Sequence, residues 1–259
     1  MNLTDYDHIV INTSAGKDSQ AMTEVVCRMA REQDVVDRVV MVHADLGRAE
    51  WPGCPELAAY HAAFKGVPLI VVQRKQWLLD HIHERGMFPD NRNRYCTSDH
   101  KRSQVYKVFT QLVARHDRTE HPIRILNCMG MRAQESPARA KRVPFQRDQM
   151  ASNGKRWVDT WLPLHSWKVE QVWEEIHRGG MPYHYAYDLG LPRISCIFCI
   201  FAPPDALRLA GYYNRNLLLE YVAVEKEIQH TFRHKQSLAS ILADLDRGYE
   251  PRAAGDWAM

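Results

Sequence analysis

The stretch "INTSAGKDSQ", residues 11 to 20, joins the end of an apolar run, "HIVINT" at 8–13, to a lysine, an acid and two hydroxyls. A strand that leaves its sheet this way either opens an ordinary helix after a tight turn or cradles a phosphate. Small residues such as Ala15 and Gly16 let backbone N–H groups approach an anion, and the following helix turns its positive end towards it. Lys17 adds a mobile positive charge, and Ser14 and Ser19 add hydroxyl donors. Asp18 would repel naked phosphate but suits a site where Mg²⁺ intervenes. The Walker form is absent, because Ile11 rather than glycine lies five residues before Gly16 and an acid follows the lysine.

Outward from this turn, the first half of the chain alternates as parallel sheets do. "RVVMVHA" (38–44), "PLIVVQ" (68–73) and "IRILNCMGMR" (123–132) read as further strands. Helical segments separate them, over about 18–31, in "PELAAYHAAFKG" and "QWLLDHIHERG", and over roughly 98–116. Apolar strands without alternation, spaced by amphipathic helices, predict an α/β fold with a doubly wound parallel sheet covered on both faces. Beyond Arg132 the pattern weakens. "ESPARAKRVPFQRDQMASNGKR" reads as a mobile basic loop, "WVDTWLPL" as a short strand, and 168–178 as a helix. Segments 207–230 and 235–246 read as a C-terminal helical pair. The expected organisation is a nucleotide-binding domain over 1–200 and a helical extension over 201–259 packed on the same unit.

Composition narrows the class. Hydrophobic residues at 45% and charged residues at 25% describe a globular protein with a real core. No apolar stretch approaches the roughly 20 residues that span a bilayer, so no membrane role is expected. "MNLTDYDHIV" lacks the layout of a signal peptide, which makes the cytoplasm the default location. From Arg92 to Arg147 there are thirteen Lys or Arg against four Asp or Glu, a basic segment suited to a polyanionic partner or to a solvated surface.

Six cysteines in such a chain are not a disulfide framework. Cys27, Cys54 and Cys128 read as core or loop. Cys196 and Cys199 form a C-x-x-C pair and Cys96 sits in a polar, basic loop, so these three need a chemical explanation. His81 and His83 lie two apart, do not share a helix face and read as surface residues. The run "GYYNRNLLLEY" reads as packing the C-terminal helix on the sheet.

The turn at 14–19 resembles the PP-loop, S-G-G-x-D-S, of the ATP pyrophosphatase superfamily, with Ala15 in place of the first glycine. "HADLGRAEWPGC", carrying His43 and Asp45, resembles the segment that closes over the nucleotide in the phosphoadenylylsulfate (PAPS) reductase branch. "RYCTSDHKR" resembles that branch's C-x-x-x-x-K segment, through Cys96 and Lys101. "GMRAQESPARAKR" resembles its G-x-R-x-x-x-S-x-x-R signature, through Gly130, Arg132, Ser136 and Arg139. "LPLHSWKVEQVWEEI" and "GLPRISCIFC" continue the order, so the resemblance runs from Ser14 to Cys199. The reductases attack sulfur with a cysteine near the C-terminus, whereas no cysteine follows Cys199 here. Among branches, the chain is most similar to the DndC/SspD-type ATP pyrophosphatases of DNA phosphorothioate modification, which carry an R-x-x-E-S-x-x-R element. Here that element reads R-A-Q-E-S-P-A-R, from Arg132 to Arg139. PAPS-reductase-like phage proteins share the outline.

The resemblance implies an adenine nucleotide alpha hydrolase-like fold, bound ATP and Mg²⁺, and a [4Fe–4S] cluster on Cys96, Cys196 and Cys199, with zinc as the competing metal. Ser14 to Ser19, His43, Asp45, Gly130 and Ser136 would bind the cofactor; Lys17, Asp18, Lys101, Arg132 and Arg139 would serve catalysis. Cys128 is the nearest candidate for a fourth ligand but reads as core. The implied activity is adenylation of an acceptor oxygen with release of pyrophosphate, followed by sulfur insertion. Implied partners are nucleic acid, DNA ahead of RNA, and a cysteine desulfurase or other sulfur donor; a homo-oligomer is left open. Thiolation of an RNA base, or a phage or defence protein that uses ATP only as a conformational ligand, are the competing readings.

Overall fold

The fold was obtained as a computed structural model that describes residues 1–116, 121–194 and 196–251. Six strands form one sheet: β1 (His8–Thr13), β2 (Val39–Asp45), β3 (Leu69–Gln73), β4 (Ile123–Met129), β5 (Phe145–Arg147) and β6 (Arg156–Trp161). Their order is β3-β2-β1-β4-β6-β5. β1 runs parallel to β2 and β4, β4 runs parallel to β6, and β5 runs antiparallel to β6. The helices are α1 (Lys17–Glu32), α2 (Cys54–Lys65), α3 (Leu78–Arg85), α4 (Tyr95–Thr97), α5 (Ser103–Val113), α6 (Pro137–Ala140), α7 (Val169–Gly179), α8 (Pro204–Tyr213), α9 (Arg215–Glu227) and α10 (Leu238–Asp246). The doubly wound α/β architecture expected from the sequence is present, with helices at the C-terminal end.

The chain divides into two compact units. The first comprises 1–44, 53–72 and 103–184; the second comprises 45–52, 73–102 and 185–259. The C-terminal helices therefore share a unit with two insertions from the first half of the chain.

In the first unit β1, β2 and β4 are buried on both faces, which explains their unbroken apolar runs. Ile9, Ile11, Met41, Leu126 and Cys128 pack with Met22, Val26, Val172 and Ile176 of α1 and α7. Val10, Val40, Ile125 and Val158 pack with Val105, Val108, Phe109 and Leu112 of α5 on the other face. Burying each of these side chains contributes about 1.5–3 kcal/mol. The basic stretch read as a loop contains α6 and β5; three residues flanked by Pro144 and polar neighbours give no periodicity to read.

In the second unit, the segment read as one helix over 207–230 is broken at Asn214, whose backbone (φ −129°, ψ 48°) is not helical. Gly211 permits close packing there, since a Cβ would stand 2.9 Å from Leu218 and 3.1 Å from Leu245. Tyr221 of α9 packs against Phe88 and Phe198, while Tyr212 and Tyr213 are exposed. His81 is buried, 2.9 Å from His100; only His83 is on the surface as expected, beside Glu227. No helix among the described residues is long and apolar enough to cross a membrane.

Candidate functional site

The candidate phosphate site belongs wholly to the first unit. β1 ends at Thr13, and Ala15 takes a left-handed backbone (φ 55°) before Gly16 opens α1. That is the conformation for which glycine is the default residue, and alanine there costs about 1 kcal/mol. Small size is nevertheless kept, because Ala15 is entirely buried. The turn is closed by local bonds. Ser14 N donates to Ser19 Oγ (3.2 Å), Ser19 Oγ donates to Gly16 O (2.8 Å), and Ala15 N donates to Thr13 Oγ1 (3.2 Å). Ser19 thus shapes the turn. No side chain caps the start of α1, which leaves its positive end available to an anion.

Three charges meet at this helix start. Lys17 is 4% exposed, with Nζ 3.5 Å from Asp18, and Arg132 Nε donates to Asp18 Oδ1 at 2.5 Å. Burial pulls the Lys17 ammonium below its usual range, with Asp18 opposing. Arg132 also donates to Gln134 Oε1 (2.6 Å) and Trp167 O (3.4 Å), and its own backbone N donates to Glu135 Oε2 (2.9 Å). Arg139 pairs with Glu135, and its backbone N donates to Ser136 Oγ (3.2 Å). The Glu135 carboxylate therefore holds the Arg132 backbone and the Arg139 side chain together. Gly130 has a steric reason: a Cβ would lie 2.8 Å from the backbone oxygen of Asp18. His43 is buried at the end of β2, and its Nδ1 donates to Thr13 O (3.2 Å), tying β2 to the strand that carries the turn. Arg132, Arg139 and Arg147 are each ion-paired, so part of the basic count of 92–147 is neutralised internally.

Asp45 belongs to the second unit. It accepts from Gly47 N (2.6 Å) and from Gln73 Nε2 (3.3 Å), which makes it a loop cap. Cys96, Cys196, Cys199 and Lys101 are also in this unit, and the structure brings them together although about 100 residues separate the two segments. Cys96 lies on α4, Lys101 on the π-type turn 98–102 that follows, and the Cys196 segment is held by Ile197 N donating to Ala49 O (2.8 Å). Burial pushes the Cys196 thiol up to about 12, while Lys101 opposes that shift. Cys96 is likewise raised by burial. Burial works against the Lys101 charge, but Cys196, Glu50, Cys199 and Cys96 outweigh it and raise its pKa. The Tyr221 hydroxyl is raised too, by burial first and then by Cys196 and Cys96. Lys101, expected at phosphate, thus sits among thiols. Cys128 is in the β4 core of the first unit, with its thiol raised by burial. Tyr95 is buried under Arg85. Sequence reading missed the Tyr221 contribution; the signal was an aromatic within an otherwise aliphatic helix.

A six-stranded, mostly parallel sheet with a glycine-containing turn at the start of α1 defines a nucleotide alpha hydrolase-like fold. The model of the phosphoadenosine phosphosulfate reductase domain matches residues 8–202, and the chain belongs to that family. Among solved structures, FMN adenylyltransferase from Candida glabrata is similar in fold at 14% identity (TM-score 0.50), covering 73% of this chain and 53% of that one. PAPS reductase from Candida auris, in complex with phosphate, is 16% identical (TM-score 0.48) over 75% of this chain and 83% of its own. An uncharacterized 37.8 kDa protein of Escherichia phage 186 is 29% identical over 130 residues, half of this chain and 36% of the phage protein. The match thus spans little more than a third of that relative.

Proposed function

We propose that this chain is an ATP-dependent sulfurtransferase that adenylates an acceptor oxygen and supports its replacement by sulfur, in DNA phosphorothioate modification. The observation that carries the reading is the joint environment of Cys96, Cys196, Cys199 and Lys101, in a chain whose α1 also starts at an uncapped, lysine-bearing turn.

At the turn, attack of the acceptor oxygen on the α-phosphorus of ATP forms a P–O bond and breaks the bond to pyrophosphate. The backbone N–H groups at the start of α1 and the Lys17 ammonium would neutralise the leaving pyrophosphate. Asp18, oriented by Arg132 and beside Lys17, would hold Mg²⁺, which would bridge charge on the triphosphate. Arg139 is the cation with room to reach an acceptor phosphate, since its side chain is 29% exposed.

Three thiols that share one electrostatic environment with Lys101 suit a [4Fe–4S] cluster, with zinc as the alternative metal. A [4Fe–4S] cluster on Cys96, Cys196 and Cys199 would supply an iron that handles sulfur. Lys101 would balance the thiolate charge, and Tyr221, Phe198 and Phe88 would keep water away. A nucleic-acid acceptor is supported by exposed Phe145 and Trp157, with Arg147 stacked over Trp157 at 4.9 Å.

The test is mass spectrometry of DNA and RNA from cells with and without the gene. Sulfur-for-oxygen replacement in the DNA backbone supports the reading; replacement confined to RNA bases transfers it to RNA thiolation; a shift in neither polymer rejects both. Asp18→Ala should abolish ATP–pyrophosphate exchange while leaving the cluster spectrum intact. Persistence of exchange would refute the nucleotide assignment.

A further inference from the structure

The first unit holds a second feature that the sulfur-transfer reading does not use. The second half of α1 and the C-terminal ends of α2 and α7 border an open cavity of about 410 Å³, lined by four cations and three acids. Residues 24 to 32 of α1 contribute to it. Arg31 is thirteen residues beyond Asp18, so it stands about 20 Å along the helix from the phosphate turn.

Three buried acceptors in this region have no donor. Glu24 is 5% exposed; its Oε2 pairs with buried Lys65, but Oε1 is buried with no partner. One turn earlier on α1, Gln20 Nε2 donates to Met181 O (3.1 Å) and Pro182 O (3.2 Å), leaving Oε1 unpartnered. One turn before Lys65 on α2, His61 Nε2 stands 2.8 Å from Pro182 O. A carbonyl only accepts, so Nε2 carries the proton and the unpartnered Nδ1 is a third orphan acceptor. Buried acceptors of this kind are uncommon and cost free energy until a donor arrives.

The cavity wall supplies the opposite chemistry. Arg28 and Arg178 share one carboxylate, that of Glu175. The Arg31 guanidinium donates to a neutral carbonyl, Lys65 O, at 2.6 Å. Guanidinium charge therefore borders the same space as the Glu24 side chain, whose Oε1 lies buried beneath it. Gly179 leaves room for that carboxylate, because a Cβ there would fall 2.1 Å from Oε1.

We propose that this cavity is a second small-molecule site, for a small organic anion that also carries an amino or hydroxyl donor. Its anionic group lies against Arg28, Arg31 and Arg178, and its donor completes Glu24 Oε1. A pocket of this size and mixed polarity suits a ligand of amino-acid dimensions.

Calorimetric titration of the full chain with L-serine, glycolate, acetate and ethanolamine tests the assignment. L-serine and glycolate, which carry both functions, bind saturably. Acetate, lacking the donor, binds at least about tenfold more weakly, and ethanolamine, lacking the anion, shows no saturable heat up to about 10 mM. Gly179→Ala, which displaces the Glu24 carboxylate, weakens L-serine binding by about tenfold and leaves ATP binding at the phosphate turn unchanged. Equal affinity for acetate and L-serine overturns the proposal, as does the absence of saturable binding by any of the four. The ranking of the four probes needs no variant, so it stands even if Gly179→Ala fails to fold.

Discussion

The phosphate turn and the thiol group are built in opposite ways. The turn uses residues contiguous in sequence at the junction of a buried strand and a regular helix, and most of its polar atoms are already bonded to one another. The thiol group draws on α4, a π-type turn and the 196–199 segment, none of which is a long regular element. Burial opposes its charges, while Lys101 and the thiols offset one another. On the reading proposed above, this second site would be completed by the metal it holds, as structural metal centres are.

Four measurements would break or sharpen that contrast. The largest effect is expected from Cys196→Ser. In protein made anaerobically with iron, the variant loses the absorbance near 400 nm that a cluster gives, while ATP–pyrophosphate exchange at the turn persists. A colourless wild-type protein would reject the cluster altogether.

Next comes pH. Burial lowers the His100 imidazole to about 4, against about 6.5 unfolded. Between those values the unfolded chain binds the extra proton, so this contribution is complete above pH 6.5 and is lost as pH falls towards 4. The loss amounts to about 3 kcal/mol. His100→Gln should flatten the fall in melting temperature over that window; an unchanged slope would show that the buried pair with His81 is irrelevant.

A smaller effect belongs to the turn. Gly130→Ala forces a Cβ against the backbone of Asp18 and should cost about 2 kcal/mol, together with about tenfold in ATP affinity. Full affinity in this variant would mean that the helix start can shift freely. Smallest of all is Ala15→Gly. Relief of the left-handed strain is offset by the greater freedom of glycine in the unfolded chain, so thermal stability should change by less than about 0.5 kcal/mol.

The same contrast explains what the sequence could reveal. "HIVINT", followed by Lys17 to Glu32, was legible because apolar continuity and helical periodicity lie within one window. Cys96, Cys196 and Cys199 could be singled out from residue type and setting, but nothing local states that Lys101 faces them. Spacing of two residues separates the faces of His81 and His83 but does not say which face is inside; His81 found His100. β5 escaped notice because its three residues owe their conformation to β6 alone. The orphan acceptors of Gln20, Glu24 and His61 lie on ordinary helical positions, and only the packing of α1 with its neighbours exposes them.

The contact between Gly130 and Asp18 has a kinetic corollary. With the end of one strand seated directly on the first turn of the helix, the cradle is preorganised and has no hinge of its own. A nucleotide arriving there meets a receptor that is already in shape, so association should be limited by diffusion and desolvation and should show a single phase in rapid mixing.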